Sequence, residues 1–186
     1  MFKRVVFTWG RFNPPTIGHK KLLDNTARIA RFWGADYFIY PTHTVDKKKD
    51  PLPSDKKVEW MRKIFPTHSE HIIYDKEINT FIKLLQKLQG EYAEIVWVAG
   101  SDRVPAYTNI LTKYNGVEFT YRKAKCVSAG ERDPDADGAT GMSASKMREA
   151  ATNANVAMFR KGIPSNLNDK EMMKLMKEVR EGLGIK

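Results

Sequence analysis

Apolar and polar positions along the chain fall into two kinds of block. Short unbroken apolar runs, Val5–Trp9 and Glu94–Ala99 ("EIVWVA"), have the length and the β-branched and aromatic content of buried strands. Asp36–Tyr40 has the same character, and His71–Tyr74, Val117–Tyr121 and Lys125–Ser128 are shorter strand candidates. Between these runs, apolar residues recur at helical spacing. Gly18–Trp33 puts Leu22, Leu23, Ala27, Ile29, Ala30 and Phe32 on such a pattern. The stretch "SDKKVEWMRKIF" does so with Val58, Met61, Ile64 and Phe65, and its Ser54 reads as the N-cap. Ile78–Leu88, Arg103–Tyr114, Ser143–Ala151 and Asp169–Glu181 are further predicted helices, with Pro105 tolerated in a first turn. Two polar loops remain: Thr42–Pro53, which carries Lys47-Lys48-Lys49, and the Gly- and Asp-rich Gly130–Gly141.

Strands alternating with helices predict a parallel sheet covered on both faces. Ligands of such sheets bind beyond the carboxyl ends of the strands, where strand order reverses. At 186 residues, 41 % of them apolar, the chain suits one domain with a real core. The net charge of +10 and the pI of about 9.6 are compatible with nucleic acid, a membrane surface or a polyphosphate ligand. Lys and Arg are scattered and mixed with acids, as in Asp169–Glu181, rather than clustered with aromatics, so nucleic acid is not the expected partner. The single cysteine, Cys126, excludes an internal disulfide, fits a reducing compartment and is expected in the core. No long uncharged apolar segment predicts a membrane span, and the apolar run in "MFKRVVFTWG" is too short for a secretion signal. The expected location is the cytoplasm, that of the host for a viral protein.

Chemistry concentrates in "TWGRFNPPTIGHKKLL", Thr8 to Leu23. Gly10 follows the first strand directly, where the absence of a Cβ lets backbone N–H groups approach a ligand. Pro14-Pro15 stiffens the turn. Gly18 and His19 open the first helix, whose unpaired N–H groups and partial positive charge favour an anion. Thr16 presents a hydroxyl beside them. A second turn, "GMSASKMREA", combines Ser143 at a helix start with Ser145 and Arg148, a second anion cradle. A third, "VWVAGSDR", sets Gly100 and Asp102 at the exit of an apolar strand, where Asp102 serves equally as a helix cap.

"GRFNPPTIGH" resembles the (H/T)xGH signature of the nucleotidylyltransferase superfamily, and "MSASKMR" resembles its ISSTxxR element, with Ser145 in place of the usual threonine. The first motif is most similar to that of nicotinamide mononucleotide and phosphopantetheine adenylyltransferases; Thr16 stands where the nicotinamide type has histidine. The resemblance covers about Val5 to Arg148, and the texture is also similar to nucleotidylyltransferases of large tailed phages. It implies an α/β, Rossmann-like, doubly wound parallel five-stranded sheet of the HUP type in an α/β/α sandwich. Residues 1–154 would form that domain and 155–186 a helical extension packed on it.

The implied activity is transfer of a nucleotidyl group, AMP from ATP, to a phosphorylated acceptor, nicotinamide mononucleotide first, with release of pyrophosphate. His19 and Thr16 would contact the α- and β-phosphates. Arg11 and Arg148 would neutralise the triphosphate, and Ser143 and Ser145 would hold the leaving pyrophosphate. Trp9, Gly10, Phe12 and Gly18 complete the nucleotide site, and Gly100 and Asp102 the acceptor site. Mg²⁺ is expected with the ATP, bound through phosphates and waters, so no residue is assigned as a metal ligand. Trp60, Trp97 and Tyr107 are candidates to stack on the nicotinamide, with core packing as the alternative reading. Cytidylyl transfer and phosphopantetheine adenylyl transfer are the alternatives within the family. A non-catalytic nucleotide- or nucleic-acid-binding module is the alternative of another class. The expected partners are small-molecule substrates; a homo-oligomer is compatible with the sequence.

Overall fold

The computed structural model describes residues 2–130 and 141–186. The elements run β1 (Arg4–Gly10), α1 (Lys20–Trp33), β2 (Asp36–Pro41), α2 (Ser54–Ile64), α3 (Phe81–Leu88), β3 (Glu94–Ala99), α4 (Val104–Tyr114), β4 (Lys123–Ser128), α5 (Ala144–Thr152), α6 (Val156–Lys161) and α7 (Asp169–Gly182). Contacts divide the chain into two compact units. One comprises Met1–Gly10, Lys21–Tyr40 and Asp75–Arg132, the other Arg11–Lys20, Pro41–Tyr74 and Asp133–Lys186. This division does not follow the 154/155 boundary read from the sequence.

The first unit carries the sheet. Its order is β2-β1-β3-β4, with β1, β3 and β4 paired in parallel. The expected sheet had five strands; the described residues form four. Two of the six strand candidates, His71–Tyr74 and Val117–Tyr121, are not strands. His71 ends a 3₁₀ segment, Ile72 makes a single bridge, and the Arg62 guanidinium takes the Ile72 carbonyl at 2.9 Å, so a ladder partner is replaced by a side chain. Val117–Tyr121 is a turn for the same kind of reason. The Asn115 side chain satisfies both Tyr121 N–H (2.8 Å) and Tyr121 C=O (3.1 Å), and Gly116 takes φ +87°. β3, wholly buried, lies centrally, as its unbroken apolar run predicts.

Helices cover both faces of this sheet. Ala30, Leu22, Ile29 and Trp33 of α1 pack over Val6, Val96 and Val98. On the other face Phe7 stacks on Trp97 (centroids 5.9 Å), which is sandwiched by Phe81 of α3 (4.2 Å) and Tyr107 of α4 (3.8 Å). Phe32, placed on the apolar stripe by its spacing, is instead 85 % exposed. Cys126 is half-buried on the edge strand β4, not in the deep core, and burial pushes its thiol up to about 11. Strand order reverses between β1 and β3, so the crevice position of this unit lies beyond Gly10 and Ala99.

The second unit is helical. Met172, Leu175, Met176 and Val179 bury one stripe of α7, whose start is fixed by an Asn168/Glu171 capping box. Trp60 of α2 donates its indole N–H to Glu178 of α7 at 2.7 Å, and Arg180 donates to Ala151 C=O at 2.6 Å. The start of α2 departs from expectation. Ser54 is its first residue rather than its cap, and the Pro53 carbonyl accepts from Lys57 N–H at 2.9 Å. No helix among the described residues is long and apolar enough to cross a membrane.

Candidate functional site

The second unit holds both signature turns, and they touch. Thr16, itself in extended backbone, caps a 3₁₀ turn, Ile17–His19, that leads into α1. Its hydroxyl oxygen accepts from Gly18 N–H at 3.1 Å, and its hydroxyl proton goes to Met142 C=O at 2.6 Å, 126 residues downstream. With the side chain fully buried and its one donor spent, Thr16 joins the two turns. Gly18 shows how closely they approach. A Cβ there would lie 2.7 Å from Met142 O, so only glycine fits without the turns separating.

His19 completes the cap from its own side. Its Nδ1 accepts the Thr16 backbone N–H at 3.0 Å. A nitrogen that accepts carries no proton, so in the neutral ring the proton sits on Nε2, and that atom is a donor. Phe12, 3 % exposed and held at φ +49°, places its ring edge-on to the imidazole, with centroids 5.1 Å apart. A buried Phe12 therefore orients His19.

The second turn is built as its sequence predicts at the helix start. Ser143 caps α5 and accepts from Lys146 N–H at 3.2 Å. Ser145 Oγ accepts from Arg148 Nη2 at 3.1 Å, and Arg148 Nη1 donates to Asn13 C=O at 2.8 Å. The guanidinium is thus pinned between the two motifs. Burial, then the like charge of Arg11, pulls Arg148 below the ordinary arginine range, and Asp50 and Asp46 only partly offset this.

Five residues of this assembly carried no pattern that sequence reading could use. Met142 contributes only its carbonyl. Asn13, 1 % exposed, pairs twice with the Leu52 backbone, Nδ2 to C=O and N–H to Oδ1, each at 3.0 Å. This fastens the lysine-bearing loop to the first turn. Asp46 closes that loop by accepting Lys48 N–H (2.6 Å) and Lys49 N–H (2.8 Å), which hold its carboxyl below the usual range. Asp50 is 2 % exposed, its Oδ1 has no hydrogen-bond partner among the described residues, and burial pushes its carboxyl up. Lys57 is fully buried, donates to Thr42 C=O at 2.5 Å, and is pushed down to about 8 by that burial. Its place beside Lys56 at the start of a charged helix gave no sign of that burial.

Other sequence-predicted residues lie in the first unit. Trp9 and Gly10 end β1, and Gly100 and Asp102 follow β3. Asp102 is exposed, caps nothing and pairs weakly with Arg103 at 3.8 Å. Trp97 is a core residue of this unit and Trp60 one of the second unit, each 2 % exposed. Among the described residues no group of three His, Cys, Asp or Glu could hold a metal ion. The cations and N–H groups of the site suit an anion.

The first unit is an α/β sheet with helices on both faces, and in the second unit the two turns meet at one guanidinium and one imidazole. The family model for Cytidylyltransferase-like proteins matches residues 7–150, and the chain belongs to that family. It is 31 % identical over 103 residues to a "Probable nicotinate-nucleotide adenylyltransferase" of Fervidobacterium nodosum, covering 50 % of this chain and 46 % of that protein. The chain thus spans about half the length of that relative. Among solved structures it is similar in fold to Thermotoga maritima TmcAL. The apo form aligns at TM-score 0.53 and 9 % identity over 96 % of this chain and 57 % of that one. The form bound with alpha-thio ATP aligns at 0.54 and 10 % over 97 % and 57 %.

Proposed function

We propose that this protein transfers AMP from ATP to a phosphorylated acceptor, nicotinamide mononucleotide first, and releases pyrophosphate. The observation that carries this reading is the junction of the two turns: Thr16 hydroxyl on Met142 C=O, and Arg148 on Asn13 C=O, with His19 held as the Nε2–H tautomer beside them. In nucleotidyl transfer an acceptor phosphate oxygen attacks the α-phosphorus and the bond to the leaving pyrophosphate breaks. No protein nucleophile takes part, and the protein supplies position and donors for charge spread over phosphate oxygens. His19 Nε2–H would serve one such oxygen. Arg148 and Arg11 crowd each other's charge, and a polyphosphate relieves that crowding. Ser143 and Ser145 at the start of α5 would receive the pyrophosphate.

Thr16 enters this proposal as a positioning residue, because its proton is committed to Met142. Gly100 and Asp102 stand for the acceptor, on their position after β3. The adenylyl and nicotinamide assignments draw support from the Fervidobacterium relative, and cytidylyl transfer from the family model. Pyrophosphate release with ATP or CTP against a panel of phosphorylated acceptors decides between them. Under the best pair, His19→Ala is expected to lower turnover about 10²–10³-fold, the usual cost of one oxyanion donor, with an unchanged melting curve. Near-normal turnover in that variant would refute the assignment. Chelating Mg²⁺ is expected to stop release in the unmodified protein.

A further inference from the structure

The first unit has a second concave surface, at the amino ends of its strands rather than the carboxyl ends. It encloses about 700 Å³ and is lined by Arg4 of β1, Glu94 of β3, Arg122 before β4, Lys123 and Lys125 of β4, and Phe32 and Trp33 closing α1. Glu94 is the one carboxylate among four cations. It accepts from Arg4 at 2.7 Å and Arg122 at 3.0 Å, and the Arg4 bond above all holds it ionised. Lys123 and Lys125 alternate with Ala124, so both project on one face of an edge strand.

The aromatics complete the surface. Lys125 Nζ sits 3.7 Å from the Trp33 ring centroid, and Arg122 lies 4.5 Å over Phe2, itself 57 % exposed. Phe32 presents its ring to solvent at 85 % exposure on the rim of the same groove. Lysines on an edge strand guard it against pairing, but that role calls for no exposed phenyl ring beside them. Cations that track phosphates, interleaved with exposed ring faces, are the features of single-strand nucleic-acid surfaces. The basic residues come from sequence positions as far apart as 4 and 125, so this clustering is a product of the fold.

We infer that this groove binds single-stranded nucleic acid, phosphates on Arg4, Arg122, Lys123 and Lys125 and a base on Phe32. It needs nothing from the proposed transfer site. The test is fluorescence anisotropy of a labelled oligothymidine of about twelve nucleotides, within the roughly 4–16 that such sites span. The full chain is expected to bind in the micromolar range at low salt. The double variant Lys123→Glu/Lys125→Glu is expected to lose binding, and the milder Lys123→Gln/Lys125→Gln to flatten the slope of log K against log salt by about 1.4. Phe32→Ala is expected to weaken binding about tenfold, the loss of one stacked base. Circular dichroism of each variant checks that it is folded. No binding overturns the proposal. So does binding that Phe32→Ala leaves untouched and inorganic tripolyphosphate displaces, since that is plain attraction of a polyanion. Binding lost in Arg148→Ala but kept in the groove variants also overturns it, by placing the oligonucleotide at the transfer site.

Discussion

Two basic regions of this molecule use the same residue types in opposite ways. At the joined turns of the second unit, Arg148 and Lys57 are drawn inward and bonded to backbone carbonyls, and both are pushed below their ordinary pKa ranges by burial. In the groove of the first unit, Lys123 and Lys125 stand in solvent. Buried cations are costly to maintain and arrive already positioned, which suits a short-lived charge distribution at a reacting phosphorus. Exposed cations are cheap, adaptable and screened by salt, which suits attraction along a chain of phosphates.

The sharpest way to break the contrast is Gly18→Ala. Its Cβ would meet Met142 O, so the two turns must part. We expect a loss of stability of about 1–3 kcal/mol, read by denaturant titration, and a loss of turnover at least as large as that of His19→Ala. Oligonucleotide binding by the groove should be unaffected.

Lys57 gives the next effect. Burial lowers its folded pKa from 10.5 to about 8, so between those values the unfolded chain holds the extra proton. Stability attributable to this group should therefore rise with pH from about 8 to 10.5, by on the order of 3 kcal/mol, and be flat below. Melting curves across that window should show the rise in the unmodified chain and not in Lys57→Met. The smallest effect belongs to Phe32→Ser, expected within about 0.5 kcal/mol of the unmodified stability because the ring is solvated.

Much of this was written in the sequence, and the parts that were not share a cause. β1 and β3 were legible because buried parallel strands are continuous apolar runs. The start of α5 was legible because Ser143 is a local signal, and α7 because its stripe is regular. His71–Tyr74 and Val117–Tyr121 misled because Ile72 and Tyr121 spend backbone groups on the distant Arg62 and the nearby Asn115 side chains, which no periodicity reports. At the candidate site, His19, Thr16 and Arg148 were recognisable as motif residues, but their division of labour was not. That Thr16 joins the turns, and that Asn13 and Met142 complete the junction, depends on carbonyls met across 39 to 135 residues. The groove was hidden in the same way, because its rim is assembled from one or a few residues of each of several separate elements.

The Asn13–Leu52 pairing has a consequence for anyone wishing to watch this protein work. Asp46 and Asp50 exchange backbone bonds at 3.0 Å each, and Leu52 is fastened two residues later, so the segment has a sealed neck and a solvent-exposed tip at Lys47–Lys49, whose Lys48 and Lys49 N–H groups turn back onto Asp46. A reporter dye or short tag belongs at that tip, where added length is absorbed outside the neck. Carried there, it would ride on a segment tethered through a single asparagine to the guanidinium of Arg148, and its signal would report when that arginine shifts.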